Sequence, residues 1–497
     1  MCNLFFYDRS KDIQKDIIIV GGGIMSLTLA AIISEVYPKH KILLLERLTK
    51  CGLESSNGIN NAGTGHAGYC ELNYTPTDNQ NHINIDRAIN INEMFEISLQ
   101  FWAYLSDKYK TFNILKFLNK TPHISFVFGE KNVNFLKNRY LELKKQPLFE
   151  GMQYTESHQV IKNWAPLLMK GRSIKQVIAA TKVEHGTDIN FGELCNQLLI
   201  ILKKNKNFSI KLNSNVKSIH QLVDSSFNIK YKNNNKKEIN IVKSTKVFIG
   251  AGGMSINLLQ KLGIKKIKGY AGYPLNGEWL VSNKSEVVKL HQSKVYGQAF
   301  PGAPTMSIPH LDLRVIDDKK IVLFGPFASF TTKFLKHGSK WEFFKSIKLN
   351  NIYSLLVILL KNIPLLRYLI KQSMMTHEEK MKQLRTFFPN ANSKDWKTLT
   401  AGQRVQIIKK TKKGVNLEFG TEILYSSDKA LASLIGASPG ASTSCSLMLD
   451  VALNIYNDPK LPNHIKKIIP WYNIKLNKNP KTLKKMRNVI YKKLNLV

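Results

Sequence analysis

The chain of 497 residues has few cysteines, few acidic residues and no long apolar run. Its five cysteines stand far apart, and none belongs to a CxxC or CxxH pair of the kind that binds zinc or an iron–sulfur cluster. We therefore expect free thiols in a reducing compartment and no metal site.

The longest apolar run covers residues 355–360 and ends at Lys361. A spanning helix needs roughly 20 apolar residues, so no transmembrane segment is predicted. At the N-terminus, the apolar run at residues 4–7 is too short for a signal peptide, and export is not expected. The apolar region after Ser346, which contains scattered Lys and Arg up to Ile370, is compatible with a core helix or with an amphipathic membrane element.

Acidic residues number only 35 against 73 Lys plus Arg, so the formal net charge is +38. Such an excess suits a nucleic-acid partner or an anionic membrane surface, but it also arises by compositional drift. The Lys residues are scattered among Asn and Ile, as at residues 232–240, and no aromatic residues alternate with a basic stripe. Drift is the preferred interpretation, and no nucleic-acid partner is expected.

The clearest positive pattern begins at residues 16–20, an apolar run typical of a buried parallel strand. Three glycines follow at residues 21–23, and residues 24–35 have the spacing of a helix whose N-terminus would attract a pyrophosphate. A second apolar run, residues 42–45, ends in Glu46, where dinucleotide-binding βαβ units place the carboxylate that binds the adenosine ribose. The order predicts a site for FAD or NAD, although a glycine turn between any strand and helix would look similar.

The fingerprint Gly21-x-Gly23-x-x-Ser26 has Ser where the third Gly or Ala is usual. Two further glycine segments fit a cofactor site. Residues 246–253, KVFIGAGG, read as a strand that returns to the cofactor, or as a buried strand and turn. Residues 436–449 read as a turn that opens a second helix with an N-terminus suited to an anion, or as a simple helix cap.

A long polar loop, residues 54–76, cannot supply a core and is typical of a functional segment. Its sequence, ESSNGINNAGTGHAGYCELNYTP, closely resembles the second signature of the malate:quinone oxidoreductase family, and GGGIMS from Gly21 resembles that family's fingerprint. The chain departs from the family at Ile59, where Trp is common, and at Thr305 in GAPTMS. The resemblance continues in many ordered motifs to about Leu476.

The resemblance implies an α/β fold, with a Rossmann-like FAD-binding domain of the glutathione-reductase and D-amino-acid-oxidase type and an interleaved antiparallel-sheet substrate domain. We assign residues 1–110, 175–262 and 396–465 to the FAD-binding domain and residues 111–174 and 263–395 to the substrate domain. Residues 466–497 form a basic C-terminal tail.

The implied cofactor is FAD. The residues expected to bind it are Gly21, Gly22, Gly23, Met25, Ser26, Glu46, Arg47, Ser56, Asn57, Asn61, Thr64, Gly65, Gly252, Gly253, Ser438, Pro439, Gly440, Ala441 and Ser442.

The implied substrate, L-malate, carries two carboxylates, which arginine binds through paired charged hydrogen bonds. Arg404, in an Ala-Gly-x-Arg strand, is the first candidate, and Arg314 and Lys333 are candidates for the other carboxylate. The alcohol proton needs an acceptor, and imidazole titrates in the useful range. His66 and His310 compete for that role.

The expected function is oxidation of (S)-malate to oxaloacetate by a quinone-dependent malate dehydrogenase, with electrons passed to a membrane quinone. The alternative is another FAD-dependent 2-hydroxy-acid dehydrogenase or oxidase, for example one acting on L-2-hydroxyglutarate. A quinone acceptor implies peripheral attachment to the cytoplasmic face of the cell membrane, where the positive charge would favour anionic lipid.

The C-terminal tail is interpreted without help from the resemblance. Six Lys and Arg residues surround an apolar face formed by Leu483, Met486 and Ile490. This pattern predicts a helix in an anionic interface, or equally a frayed terminus.

Overall fold

The structure is a computed structural model that describes residues 14–78, 80, 82–264, 267–299, 308–411, 414–418, 420–436 and 440–497. The predictions that concern residues 4–7, Cys2, the GAPTMS segment at 302–307, Ser438 and Pro439 lie outside these residues.

Two sheets organise the described chain. The smaller contains β1 (Lys15–Val20), β2 (Ile42–Leu45), β8 (Phe208–Lys211), β9 (Ser214–Gln221), β10 (Phe227–Asn233), β11 (Ile239–Ile249), β18 (Thr421–Tyr425) and β19 (Leu431–Gly436). The larger contains β4 (His123–Phe128), β5 (Gln153–Thr155), β6 (Ile178–Val183), β12 (Ala271–Ser282), β13 (Lys294–Tyr296), β14 (His310–Ile316), β15 (Lys319–Phe330), β16 (Lys397–Thr411) and β17 (Gly414–Glu418). A separate pair joins β3 (Leu118–Lys120) to β7 (Thr187–Ile189).

The helices cover and connect these sheets. They are α1 (Ile24–Val36), α2 (Asp86–Lys108), α3 (Glu130–Leu143), α4 (His158–Trp164), α5 (Pro166–Met169), α6 (Phe191–Leu202), α7 (Ser255–Lys261), α8 (Ser285–Lys289), α9 (Glu342–Ser346), α10 (Ile352–Lys361), α11 (Ile363–Ser373), α12 (His377–Arg385), α13 (Ser444–Tyr456), α14 (Leu461–Ile468) and α15 (Pro480–Lys493). The predicted helix at residues 24–35 corresponds to α1, which ends one residue later.

The centre of the smaller sheet is parallel, in the order β19, β11, β1, β2, β8. Ile17, Ile18 and Ile19 of β1 have no exposed surface, as expected of a strand covered on both faces. Helices α1, α6 and α13 pack on one face, and the β9–β10 hairpin with α7 packs on the other. The predicted strand–turn–helix–strand order of residues 16–46 is confirmed.

The strand predicted at residues 246–253 is part of a longer one, because a single strand, β11, covers residues 239–249. Its first half pairs with β10 outside the parallel sheet, and its second half lies between β1 and β19. Strand β8 pairs with β2. The polar break near Lys243 concealed this continuity.

The larger sheet is antiparallel apart from the parallel pairing of β13 with β4. It includes β6 and β16, although the sequence assigned residues 175–262 and 396–465 to the FAD-binding domain. The reason is long-range pairing, because β6 pairs with β4 and β16 pairs with β12. The larger sheet therefore combines strands from residues 123–183 with strands from residues 271–418.

The prediction of a membrane-facing C-terminal tail is wrong. The predicted helix is present as α15, but its apolar face is turned inward: Leu483, Met486 and Ile490 are at most 4% exposed and join the same core as α1 and α2. Arg487 lies 2.7 Å from the buried carboxylate of Glu96 on α2, which fixes the helix further. An amphipathic pattern suits a protein core as well as a bilayer, and here the core takes it.

Within the described ranges, no single helix has both the length and the apolar character needed to cross a membrane, whereas α10 and α11 together have both and are bent by 82° between them. In the same ranges Cys51, Cys70, Cys195 and Cys445 are buried free thiols, as predicted.

Candidate active site

A cavity of about 410 Å³ opens between the two sheets, at the carboxyl ends of β1 and β11. Segments that are far apart in the sequence line it. The predicted site residues among its lining are Gly21, Gly22, Gly23, Met25, Glu46, Arg47, Ser56, Asn61, Thr64, His66, Gly252, Gly253, Arg404, Gly440 and Ala441. The predicted residues Ser26, Asn57, Gly65, Ser442, His310, Arg314 and Lys333 do not line it.

The glycine turn between β1 and α1 has no room for side chains. Gly21 has φ +96°, and a Cβ there would lie 2.5 Å from the carbonyl oxygen of Gly250. A Cβ on Gly22 would lie 2.5 Å from Cys51 Sγ. Ser26 is fully buried against Gly250, so α1 still packs closely on the sheet without a third glycine. The turn leaves the N-terminus of α1, whose N-cap residue Gly23 has no side chain to cap it, beside the cavity, where it suits a pyrophosphate.

The carboxylate of Glu46 is held at this turn. It accepts hydrogen bonds from the backbone N–H of Gly22 at 2.6 Å and of Leu48 at 2.7 Å. Burial raises the pKa of Glu46, and the two backbone donors oppose that effect. Ser56 accepts a hydrogen bond from the N–H of Ile24 at 3.0 Å, which ties the polar loop to the same turn. The glycine cradle, the helix N-terminus and this carboxylate together fit the adenosine diphosphate half of FAD.

Arg314 was predicted to bind a substrate carboxylate, but the structure places it behind the polar loop. Its side chain is fully buried, donates to the carbonyl oxygens of Gly58 at 2.7 Å and Ile189 at 3.1 Å, and lies 2.7 Å from the carboxylate of Asp188. Gly63 adopts φ +61° directly against the guanidinium. Arg314 therefore supports the loop that carries Thr64 and His66.

A second buried cation completes this support. Lys294 Nζ lies 2.8 Å from Asp188 Oδ1 and donates to the carbonyl oxygen of Ala62 at 2.8 Å. Lys294 also lies 3.8 Å from Asp312. Burial alone would raise the pKa of Asp312, but His310 and Lys294 lower it overall. The cations of this network pair with the carboxylates of Asp188 and Asp312, so the network serves to position the loop.

His66 lies at the cavity wall, with its Nδ1 in contact with Glu71 Oε1. Glu71 is buried, which opposes ionisation, but His66 more than compensates and the pKa of Glu71 is lowered. Among the described residues, His66 Nε2 has no hydrogen-bond partner. An imidazole oriented by a carboxylate, with its other nitrogen free, is suited to accept a proton.

His310 lies one layer behind the cavity. Its Nδ1 is 2.7 Å from Asp312 Oδ2, and its ring stacks on Tyr296 with centroids 4.4 Å apart. The Tyr296 hydroxyl is 2.7 Å from Thr64 Oγ1, and Thr64 lines the cavity. His310 thus reaches the site through Tyr296 and Thr64.

Arg404 extends from β16 into the cavity lining. Among the described residues it has no carboxylate partner and no hydrogen-bond acceptor, and burial lowers its pKa. A desolvated, unpaired guanidinium is costly unless an anion binds it. Lys333, the other predicted cation, is not part of the lining.

Sequence reasoning missed several polar residues of the site. Asn60 and Gln403 line the cavity beside the predicted residues, and both lie inside the quoted motifs, which gave a usable signal. Glu71 follows His66 by five positions in the same loop. Tyr296 comes from β13, and no motif marks it.

Comparison with known proteins finds one family along nearly the whole chain. A profile of the malate:quinone oxidoreductase family matches residues 13–496. A probable malate:quinone oxidoreductase of Geobacillus sp. (strain WCH70) is 46% identical over 488 residues, which is 96% of this chain and 95% of that protein. A probable malate:quinone oxidoreductase of Pectobacterium carotovorum subsp. carotovorum (strain PC1) is 44% identical over 487 residues, 97% of this chain and 92% of that protein.

The chain belongs to the malate:quinone oxidoreductase family.

The family resemblance of the sequence is thereby confirmed, and with it the predictions of FAD as cofactor and of a quinone-dependent malate dehydrogenase. The alternative of another 2-hydroxy-acid dehydrogenase or oxidase is not favoured.

Solved structures confirm the fold class. The L-α-glycerophosphate oxidase of Mycoplasma pneumoniae with FAD bound is 17% identical, with a TM-score of 0.57 over 89% of this chain and 95% of that one. The glycine oxidase of Geobacillus kaustophilus is 14% identical, with a TM-score of 0.57 over 90% of this chain and 95% of that one. At such identities the likeness concerns the fold alone.

Proposed function

We propose that this protein oxidises (S)-malate to oxaloacetate with FAD as cofactor and passes the electrons to a membrane quinone, feeding the tricarboxylic acid cycle into the respiratory chain. The observation that carries the proposal is the guanidinium of Arg404, which has no partner among the described residues and lies in the cavity that the glycine turn and Glu46 also line. Bound FAD supplies the hydride acceptor for the alcohol carbon and the electrons for quinone.

Arg404 binds one malate carboxylate. Its planar guanidinium can donate two parallel hydrogen bonds to a carboxylate, and Arg404 lines the cavity. This contact fixes the position of the neighbouring alcohol carbon.

His66 accepts the hydroxyl proton of malate at Nε2. Its Nδ1 contacts the Glu71 carboxylate, which orients the ring and stabilises the imidazolium that forms. The low pKa of Glu71 keeps this carboxylate ionised at neutral pH. Thr64, held by Tyr296, places the loop beside His66.

FAD is bound by the residues of the glycine turn, by Glu46 at the ribose hydroxyls, and by the Gly252–Gly253 and Gly440–Ala441 segments. In this assignment Ser26 acts through helix packing. The flavin also lies near Ser56, Asn61 and Thr64, because all three line the cavity.

The enzyme attaches peripherally to the cytoplasmic face of the cell membrane. The quinone resides in the bilayer, so the reduced enzyme must reach that surface, and the net charge of +38 favours anionic lipid.

The test is turnover by the purified holoenzyme without nicotinamide. Malate and a quinone analogue should be converted to oxaloacetate and quinol in equal amounts, both measured by chromatography. Malate oxidation that requires NAD, or that consumes oxygen and leaves the quinone unreduced, would contradict the proposal.

A further inference from the structure

A large apolar surface is exposed on the outer side of the larger sheet, at residues 341–374. We call it the apolar platform. Its exposed side chains are Trp341, Phe344, Leu349, Ile352, Tyr353, Leu356, Leu359, Leu360, Ile363, Ile370 and Met374. Leu349 is 97% exposed and Leu360 is 72% exposed. Soluble proteins rarely leave so large a contiguous apolar surface in water.

Helix α10 is apolar on both sides. Its inner side, with Leu355 and Ile358, is buried against β16 and β17. Its outer side presents Ile352, Leu356 and Leu360, which recur every four residues and are exposed. A helix that is apolar all round belongs in a protein core or in lipid. Because the inner side is already packed, the outer side needs another partner.

Helix α11 is held in the same way. Leu369 and Gln372 are buried against the sheet, where α11 packs on β15. Pro364 stands in its first turn, and the chain bends by 82° between α10 and α11. Helices α10 and α11 therefore both pack on the larger sheet.

The exposed charged side chains within residues 340–377 have one sign. They are Lys340, Lys345, Lys348, Lys361, Arg367 and Lys371. Between residues 340 and 377 the sequence contains one acidic residue, Glu342. Glu342 is buried and accepts hydrogen bonds from the backbone N–H of Phe334 at 2.9 Å and Leu335 at 3.3 Å. An apolar face with a cationic border is the pattern of a helix lying in an anionic lipid interface.

The charge pattern also indicates which partner covers the apolar platform. A second copy of this chain docked face to face would bring two cationic borders together, and like charges at an interface oppose association. An anionic bilayer neutralises the same cations and covers the apolar side chains.

The apolar platform begins at the wall of the active-site cavity. Leu335 and Glu342 line the cavity, while Trp341 beside Glu342 is 65% exposed. Phe343 links the two regions, because its ring packs on Phe334 with centroids 6.5 Å apart. A bilayer seated on the platform would therefore lie next to the cavity.

We propose that the apolar platform is the membrane-binding surface of this protein, with Trp341, Phe344 and the outer side of α10 inserted at the boundary between headgroups and acyl chains. The cations of its border lie at lipid phosphates. The proposal rests on the proposed function for the purpose of the contact, which is access to quinone, but lipid binding itself is a property of this surface.

The first test uses the full-length holoenzyme and vesicles of phosphatidylcholine and phosphatidylglycerol in equal parts. The double variant Leu356→Glu/Leu360→Glu should lower the vesicle partition coefficient on the order of 100-fold, because it places two carboxylates in the interface. The matched control, Ile174→Glu/Val223→Glu, alters apolar side chains that are at least as exposed but lie outside the platform, and it should bind as the wild type.

The second test follows Trp341. Lipids brominated in the acyl chains should quench part of the tryptophan fluorescence, and Trp341→Phe should abolish that part. Vesicles of phosphatidylcholine alone should bind less protein, because the cationic border then has no anionic partner.

Wild-type vesicle binding by the Leu356→Glu/Leu360→Glu variant would overturn the proposal. A lipid-free dimer that this variant converts to a monomer would assign the apolar platform to a second copy and overturn it as well. Malate should still reduce the flavin of the Leu356→Glu/Leu360→Glu variant and of the Ile174→Glu/Val223→Glu control. If malate fails to reduce the flavin of the wild type while the variant loses vesicle binding, the proposed function fails and the membrane surface stands.

Discussion

At the residue scale, Arg404 is the residue that we propose binds a carboxylate of the substrate. It lines the cavity without a carboxylate partner among the described residues, which is the reason for this proposal. Arg404→Lys keeps the charge but loses the planar fork, which should cost about 1.5–3 kcal/mol of malate binding. The KM for malate should therefore rise roughly 10- to 100-fold, as measured by steady-state kinetics.

Lys333 gives the matched control for this prediction. Lys333 is the other cation proposed from the sequence, but it lies outside the cavity lining. Lys333→Ala should therefore leave the KM for malate unchanged. Equal effects of the two substitutions would remove Arg404 from its assigned role.

His66 and His310 differ in position, which separates their expected effects. His66 lines the cavity, whereas His310 lies behind it against Tyr296. His66→Gln should lower kcat roughly 100- to 10,000-fold while FAD stays bound, because the proton acceptor is lost. A large loss of kcat in His310→Gln with His66→Gln nearly active would reverse the assignment.

Glu46 anchors the cofactor end of the cavity. Glu46→Arg removes the ribose acceptor and the hydrogen bonds to Gly22 and Leu48, so FAD affinity should fall by about tenfold or more, measured by fluorescence titration of the apoprotein. Glu130→Arg, an exposed change far from the turn, is the control. Unchanged flavin occupancy in Glu46→Arg would place the ribose elsewhere.

At the scale of elements, α15 is part of the core. Met486 has no exposed surface, whereas Val489 on the same helix is 40% exposed. Met486→Ala should lower the free energy of unfolding by about 2–5 kcal/mol, and Val489→Ala should change it by no more than about 0.5 kcal/mol. Chemical denaturation measures both. Equal, small effects would indicate that the helix does not pack as described.

Local elements could be predicted because their signals are contiguous. The strand β1, the glycine turn, α1 and β2 follow one another within residues 15–45, and Glu46 ends the unit. Each step is specified by neighbouring residues: apolar Ile and Val for the strand, glycine for the turn, and apolar spacing for the helix. The loop at residues 54–76 was found in the same way, from its composition.

Long-range relations were beyond the same reasoning. Whether Leu483, Met486 and Ile490 face lipid or the core depends on what α2 and α1 leave uncovered, and the helix itself carries no sign of it. Arg314 has the residue type of a carboxylate clamp, yet Asp188 from a distant strand pairs with it. The joining of β16 to β12 likewise depends on residues far away in sequence.

At the scale of the whole molecule, each of the two sheets contributes different residues to the cavity. The parallel sheet presents the glycine turn and Glu46, the larger sheet presents Arg404, and the loop between β2 and α2 supplies His66. The buried ions Arg314, Lys294 and Asp188 hold that loop against the larger sheet. In the proposed function, flavin binding and substrate binding therefore both depend on the contact between the sheets.

The most direct measurement of this account is the visible spectrum of the holoenzyme during anaerobic addition of (S)-malate without nicotinamide. The flavin absorption should bleach in proportion to the malate added, and a quinone analogue should then restore it. A flavin that L-2-hydroxyglutarate bleaches and (S)-malate leaves oxidised would contradict the account.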